Sequence, residues 1–337
     1  MKLTKRFDNQ FAEVVKMIHQ ARYNAIKNVN TELVKLYWNI GEYISRKLES
    51  AEWGDAVVDQ LADYIQITHP EFKGFTRRGL YRMRQFYDTY RQKEIVSTLL
   101  TQINWSNHLL ILSKTKSHDE RSFYLRLSIK EKYSFRELER QIDSGYYERA
   151  ILSKKKLPQS VAEIHKDITN TFKDTYILDF LNLPKTYSEK DLQQSIVSNL
   201  RDFILEFGKD FTFIGQEYRI QVGKNDYFID LLLFHRGLRC LVMLELKIDD
   251  FKPEYLGKLN FYLEALDRDI KKADENPSVG IILCKSKDDE VVEYALSRNL
   301  SPALVAEYKT KLIPKKVLQK KLHELFLLNE PDKDRKK

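Results

Sequence analysis

The chain has 337 residues, 42% of them apolar, which supports real cores in about two domains and excludes wholesale disorder. No apolar run is long enough to cross a bilayer, and MKLTKRFDNQFAEVV lacks the apolar core of a signal peptide. The net charge is +8, and residues 1–150 hold most of it, with 25 Lys+Arg against 19 Asp+Glu, which suits either a polyanionic partner or a basic solvated surface.

Residues 1–150 read as helices almost throughout. Apolar residues recur every three or four positions in FAEVVKMIHQARYNAI and ELVKLYWNIGEYI. Ser117 with Glu120, and Ser134 with Glu137, fit the capping box, in which a hydroxyl and a carboxylate satisfy the free N–H groups of a first turn. Gly54, His69-Pro70, Gly74 and Gly145 punctuate the helices. In GFTRRGLYRMRQFYDTY, Thr76 is the expected N-cap, and Leu80, Met83 and Tyr87 are expected to face the core. Arg77, Arg78, Arg82 and Arg84, interleaved with Tyr81 and Phe86, suit phosphate contact and base or sugar stacking; a charged solvent face paired with acids is the plainer alternative. The preceding DYIQITHPEFKG reads as helix and turn, so a helix-turn-helix is expected. Trp38, Trp53 and Trp105 read as core residues, and His108 and His165 as surface or helix-end residues.

Residues 151–187, with Lys154, Lys155, Lys156, Pro158 and Pro184, read as a connector containing some helix. From residue 188 to 328 the pattern is α-β-β-β-α-β-α-β. SEKDLQQSIVSNLRDFILEFG is an amphipathic helix closed by Gly208. FTFIGQEYRI, YFIDLLLF and RCLVMLELK are strands, with GKND and HRGL as the turns between them. A helix from about Glu254 to Lys271 follows, then the strand SVGIILCK, the helix KDDEVVEYALSR and a short strand, ALVAEY. Residues 329–337 read as a frayed tail. Cys240 and Cys284 lie in the apolar strands with no metal or disulfide spacing, which points to a reduced, cytoplasmic protein. His235, in the second hairpin turn, is not expected to bind metal.

Three charges interrupt these apolar strands. Glu245 and Lys247 are two apart and share a strand face, and Asp230 lies on the preceding strand of the same hairpin. A buried carboxylate is costly unless paired or metal-bound, and two side by side repel. A divalent cation such as Mg²⁺ or Mn²⁺, held by both carboxylates and by water, removes both problems. Lys247 beside it can orient or help deprotonate a water and neutralise a phosphoryl oxygen, the parts that phosphodiester hydrolysis requires. The bland alternative is an Asp–Lys pair at a strand end with Glu245 near solvent. Gln216, Glu217 and Arg219 lie on the strand before; Gln216 is a weaker candidate for holding water or phosphate, and Glu217 is as readily a salt-bridge partner.

The arrangement resembles the PD-(D/E)XK nuclease superfamily, whose core runs αβββαβ. It is more closely similar to the bacterial YhcG-type family, in which an N-terminal domain once catalogued only as unknown precedes a nuclease domain. The residues that carry the resemblance run from YFIDLLLFHRGLRCLVMLELKIDDFKPEYLGKLNFYLEALD to ENPSVGIILCK, with GFTRRGLYRMRQFY, WSNHLLILSK and ERQIDSGYYER in the N-terminal half. It implies an all-helical domain, then a restriction-endonuclease-like mixed sheet. It implies Asp230 and Glu245 as metal carboxylates, the Leu246 carbonyl as a further ligand, Lys247 as the catalytic lysine, and DNA as substrate, hydrolysed by a metal-activated water.

Two positions depart from the pattern. A glutamate on the first core helix often reaches the metal; Gln193 stands at its expected place, with Glu189 and Asp191 read on other helix faces. A Gln with a Tyr four residues on often follows the lysine; here they are Lys258 and Tyr262. Both could line the cleft, Lys258 touching phosphate as a point charge, or Lys258 could be a surface substitution. Gln193 and Lys258 favour a second reading, a nucleic-acid-binding or adaptor protein with a weak or inactive nuclease core. Membership of a restriction or mobile-element defence complex is compatible with either, as is a homodimer that cuts both strands.

Overall fold

The computed structural model describes residues 8–52, 55–91, 99–153 and 171–329. Gly54, Trp53, His165 and the tail 330–337 lie outside them. Contacts divide the chain into two units, Met1–Ile142 and Asp143–Lys337.

In the first unit the long helix α1 (Asp8–Glu49) is followed by α2 (Asp55–Thr68), α3 (Arg77–Tyr90), α4 (Trp105–Lys114), α5 (His118–Glu131) and α6 (Phe135–Asp143). The caps sit where the side-chain chemistry expects them. The hydroxyls of Thr76 and Ser117 accept hydrogen bonds from the backbone N–H groups of Gly79 and Glu120, at 3.2 and 3.1 Å. Tyr37, Ile44, Val58, Ala62, Leu80 and Met83 form one core cluster, with Trp105 packed against it. Trp38 packs edge-on against Phe86 and Tyr87. Two expectations fail. Tyr87 is only half-buried, whereas Phe86 and Tyr90 join Leu80 and Met83 in the core. His108 is fully buried, not superficial; its Nε2 lies 2.8 Å from the Leu100 carbonyl, and burial pushes its pKa down to about 4.

The second unit begins with α7 (Tyr146–Leu152), then β1 (Thr175–Ile177), a 3₁₀ turn at Asp179–Leu181, α8 (Glu189–Ser198) and α9 (Leu200–Phe207). The sheet continues with β2 (Phe211–Val222), β3 (Asn225–His235) and β4 (Cys240–Leu246). After α10 (Tyr255–Ala265) come β5 (Asn276–Cys284), α11 (Asp289–Leu296), β6 (Ala303–Lys309) and α12 (Lys315–Asn329). Strand order is β1-β6-β5-β4-β3-β2; β2, β3 and β4 are antiparallel, and β4, β5, β6 and β1 are parallel. This is a mixed, restriction-endonuclease-like sheet with an αβββαβ core.

Part of the stretch read as connector belongs to this sheet. Phe172 and Tyr176 are buried in the cluster formed with Phe203, Phe207, Leu231, Val242 and Leu244. The α7 helix is tied to the same unit, since Arg149 donates to the Thr175 carbonyl at 2.7 Å. Lys173 pairs with buried Glu206 at 3.0 Å. The single amphipathic helix expected over 188–208 is two, bent at Asn199. The helix expected to reach Lys271 is regular only to Ala265 and ends in a π-turn. The other face of the sheet buries Leu232, Met243 and Ile282 under Leu259 and Leu263 of α10. Gly280 of β5 permits this close approach, because a Cβ there would lie 2.8 Å from Leu259. That contact fixes the height of α10, which carries Lys258.

Candidate active site

β4 is buried at every position, so a charge on it must be accommodated inside the fold. Leu231 pairs with Leu244 across β3 and β4, and one further step in this antiparallel register sets Asp230 opposite Glu245. The Asp230 carboxylate accepts a hydrogen bond from the Leu246 N–H at 2.7 Å. Glu245 is 0% exposed. Its Oε1 receives Lys258 Nζ at 2.6 Å and Lys247 Nζ at 3.1 Å, while its Oε2 is buried without a hydrogen-bond partner. Lys247 Nζ also meets Glu189 Oε2 at 3.1 Å and the Leu246 carbonyl at 2.9 Å. The bland alternative fails: Glu245 is not near solvent, and the lysines pair with it rather than with Asp230.

Burial, and then the Glu245 charge, push the Asp230 carboxyl up to about 6, against the pull of the Leu246 N–H and the two lysines. Burial draws Lys247 down, but Glu245 and Glu189 outweigh it and hold the ammonium above its ordinary range. Lys247 is therefore charged at neutral pH in the metal-free site. Two neighbouring carboxylates, one with an orphaned buried oxygen and the other held part-way to protonation, fit a hard divalent cation. Among the described residues no three His, Cys, Asp or Glu side chains gather into a metal cluster. The ligand set would be Asp230, Glu245 and the Leu246 carbonyl, with water completing it.

Comparison with known proteins places this geometry. Residues 169–323 match the YhcG PDDEXK nuclease domain, and residues 13–149 match the DUF1016 N-terminal domain. The curated protein "Putative nuclease YhcG" of Escherichia coli (strain K12) is 31% identical, over 92% of each chain. The chain belongs to the YhcG nuclease family. Among solved structures, a repair endonuclease from Pyrococcus abyssi overlaps 38% of this chain and 50% of its own, at 17% identity and a TM-score of 0.27. The structure titled "Structure of EndoMS-dsDNA2 complex" overlaps 38% and 47%, at 17% identity and a TM-score of 0.28. Scores this low carry no structural argument.

Within this YhcG-family fold, the other expected site residues are only partly gathered. The Gln193 amide donates to the main-chain carbonyl of Asp230 at 2.7 Å. Glu189, which pairs with Lys247, is the side chain beside these carboxylates that sequence reasoning placed on another helix face. It lies four residues before Gln193, and i and i+4 share a helix face, so the spacing already pointed to it. Tyr262 is 4% exposed and supports Lys258, whose Nζ lies 5.2 Å from its ring centre; it does not present a free face to a cleft. Gln216 is exposed on the edge strand β2, opposite Leu231. Glu217 beside it has φ 44°, a strained conformation for a non-glycine residue, opposite the position of Asp230. Arg219 pairs with Asp226 at 2.7 Å. His235 closes its turn by accepting the Leu238 N–H on Nδ1 at 2.9 Å.

In the first unit, Arg77 pairs with Asp59 at 2.7 Å and Arg84 with Asp88 at 3.4 Å. Arg78 is exposed and Arg82 half-buried. Phe86 is fully buried and unavailable for stacking, while Tyr81 is half-buried beneath Arg77, 5.8 Å from its ring centre. The eight residues between α2 and α3 exceed the turn of about 3–4 residues that a helix-turn-helix uses.

Proposed function

We propose that this chain is a Mg²⁺- or Mn²⁺-dependent nuclease that hydrolyses phosphodiester bonds of DNA. The observation that carries the reading is the buried pair Asp230 and Glu245, with an unpartnered Oε2 and the Lys247 ammonium beside it. A bound divalent ion supplies Lewis-acid polarisation of the phosphodiester and makes water more acidic. Asp230, Glu245 and the Leu246 carbonyl would hold that ion. Lys247, kept charged by Glu245 and Glu189, orients the attacking water and offsets charge developing on the phosphoryl oxygens. Gln193 fixes the backbone of Asp230, and Lys258 exchanges the carboxylate for substrate phosphate. The exposed side of α3, with Arg78 and Arg82, makes sequence-independent phosphate contacts. The two buried free cysteines suit a reducing, cytoplasmic setting.

One observation favours the second reading, a nucleic-acid-binding protein with a weak nuclease core. Lys258 Nζ, at 2.6 Å from Glu245, competes for an oxygen the metal requires. Incubation of purified protein with linear, circular and branched DNA, in Mg²⁺, Mn²⁺ or EDTA, separates the two. Metal-dependent cleavage that disappears in Lys247→Ala supports the nuclease; binding without cleavage under either metal refutes it.

A further inference from the structure

The exposed side of α10 carries two features that the cleavage reading leaves without a role. The first is Gly257. It is exposed in the first turns of the helix, its φ lies outside the left-handed region, and a Cβ added there would meet nothing within 4 Å. Neither backbone conformation nor packing within the described residues requires glycine, which is among the worst helix formers. The second is Phe261, one turn further on and 38% exposed. Its ring lies 4.8 Å from that of half-buried Tyr227 on β3, at 62°, an edge-to-face arrangement in which each ring keeps at least one face free of the other. Gly257, Lys258 and Phe261 occupy one side of the helix, and Lys258 of that side reaches Glu245.

We propose that Gly257, Lys258, Phe261 and Tyr227 form a surface for an unpaired stretch of the substrate strand beside the cut. This rests on the nuclease reading and names the class of substrate. The sugar–phosphate backbone passes close over Gly257, where a side chain would hold it off; Lys258 meets its phosphate; a base stacks on Phe261 against Tyr227. A base inside a duplex is stacked on both sides and cannot offer its face to a protein ring. A base at a strand end, gap, flap or loop can, and aromatic platforms bind such bases with little sequence preference. Acids bracket the surface. Glu254 lies one turn before Gly257, and Glu264, one turn after Phe261, is held by Arg268 at 2.5 Å. A polyanion therefore crosses α10 rather than running along it, and crossing leads it from Phe261 over Lys258 to Glu245.

The test uses the full chain in EDTA, with fluorescence anisotropy of a labelled single-stranded oligothymidine and of a blunt duplex of equal length. Phe261→Ala is expected to weaken single-strand binding roughly tenfold or more and to change duplex binding less than twofold. Gly257→Ala is expected to raise the Tm by about 2–4 °C while weakening single-strand binding, a divergence that a purely structural glycine would not give. Phe261→Trp keeps the binding and adds an indole to a unit that has none, since the three native tryptophans lie in residues 1–142; the added emission is quenched by the strand. Unchanged single-strand affinity in Phe261→Ala overturns the proposal, as does a wild-type chain that does not bind the single strand. If Phe261→Ala loses binding and the wild type cleaves nothing in Mg²⁺ or Mn²⁺, the surface stands and the nuclease reading falls.

Discussion

Replacing Asp230 by asparagine should stabilise the metal-free protein. The carboxyl titrates at about 6 in the fold, against about 3.9 in an unfolded chain. A gap of about two pKa units corresponds to about 3 kcal/mol of unfavourable interaction carried by the ionised form. The sign follows from the raised value. Below about pH 4 the acid is protonated in both states and carries no penalty; as pH rises through 6 the folded protein must ionise it beside Glu245, and stability falls. Asparagine keeps an acceptor for the Leu246 N–H and removes the charge. The gain of Asp230→Asn over wild type should therefore be near zero at pH 4 and full at pH 8, with an increase of several degrees in Tm at pH 8. Thermal unfolding in EDTA, followed by far-ultraviolet circular dichroism at both pH values, measures it. Added Mg²⁺ should raise the Tm of the wild type and not that of the variant, because a ligand stabilises only the state that binds it. A gain of equal size at both pH values, or a variant less stable than wild type at pH 8, would refute the reasoning.

Three other outcomes are expected. Glu189→Gln should lower the Lys247 pKa and bring the alkaline limb of the pH–rate profile to lower pH, with cleavage reduced a fewfold near neutrality; an unmoved limb would separate Glu189 from Lys247. Lys258→Ala should tighten Mg²⁺ binding measured by calorimetry, because a competing ammonium leaves Glu245, while raising the KM for DNA; weaker Mg²⁺ binding would show that Lys258 is not a competitor. Burial holds His108 neutral, with its pKa lowered from 6.5 to about 4, so the first unit should lose stability as pH falls from about 6.5 towards 4. Tryptophan fluorescence reports that unit alone, and His108→Asn should flatten the pH dependence.

The nuclease hairpin was legible because strand periodicity and apolar composition leave few ways to place Asp230, Glu245 and Lys247. The αβββαβ order followed from the same signal. What could not be read depended on contacts distant in sequence. The three residues Thr175–Ile177 carry too little pattern to announce a strand, and they become one through pairing with β6. The depth of His108 is set by Phe86, 4.9 Å away on another helix, which no local window contains. The break at Asn199 lies inside a continuous amphipathic pattern, because the facing surfaces of α8 and α9 both pack on the same cluster. Glu189 is a different case: it lies four residues before Gln193, and that spacing already puts both on one helix face.

The departures at Gln193 and Lys258 can be understood together. Both meet the carboxylate pair: Gln193 binds the main chain of Asp230, and Lys258 balances the charge of Glu245. Without a divalent ion, the Lys247 and Lys258 ammonium groups face the carboxylates of Glu245 and Glu189 while Asp230 is driven towards protonation, so the site is close to neutral. A divalent ion held by Asp230 and Glu245 would make one of those ammonium groups redundant. Lys247 is held from its far side by Glu189, and Lys258 has no second acid within ion-pair distance among the described residues. On the proposed reading, Lys258 would be the group that leaves, towards the surface of α10 proposed for the substrate phosphate. Metal binding and strand binding are then coupled through one side chain, and coupling of this kind is reciprocal. DNA should tighten Mg²⁺ binding in the wild type, and Lys258→Ala should abolish the effect while leaving each ligand able to bind alone. Equal coupling in the variant would place the link elsewhere in the site.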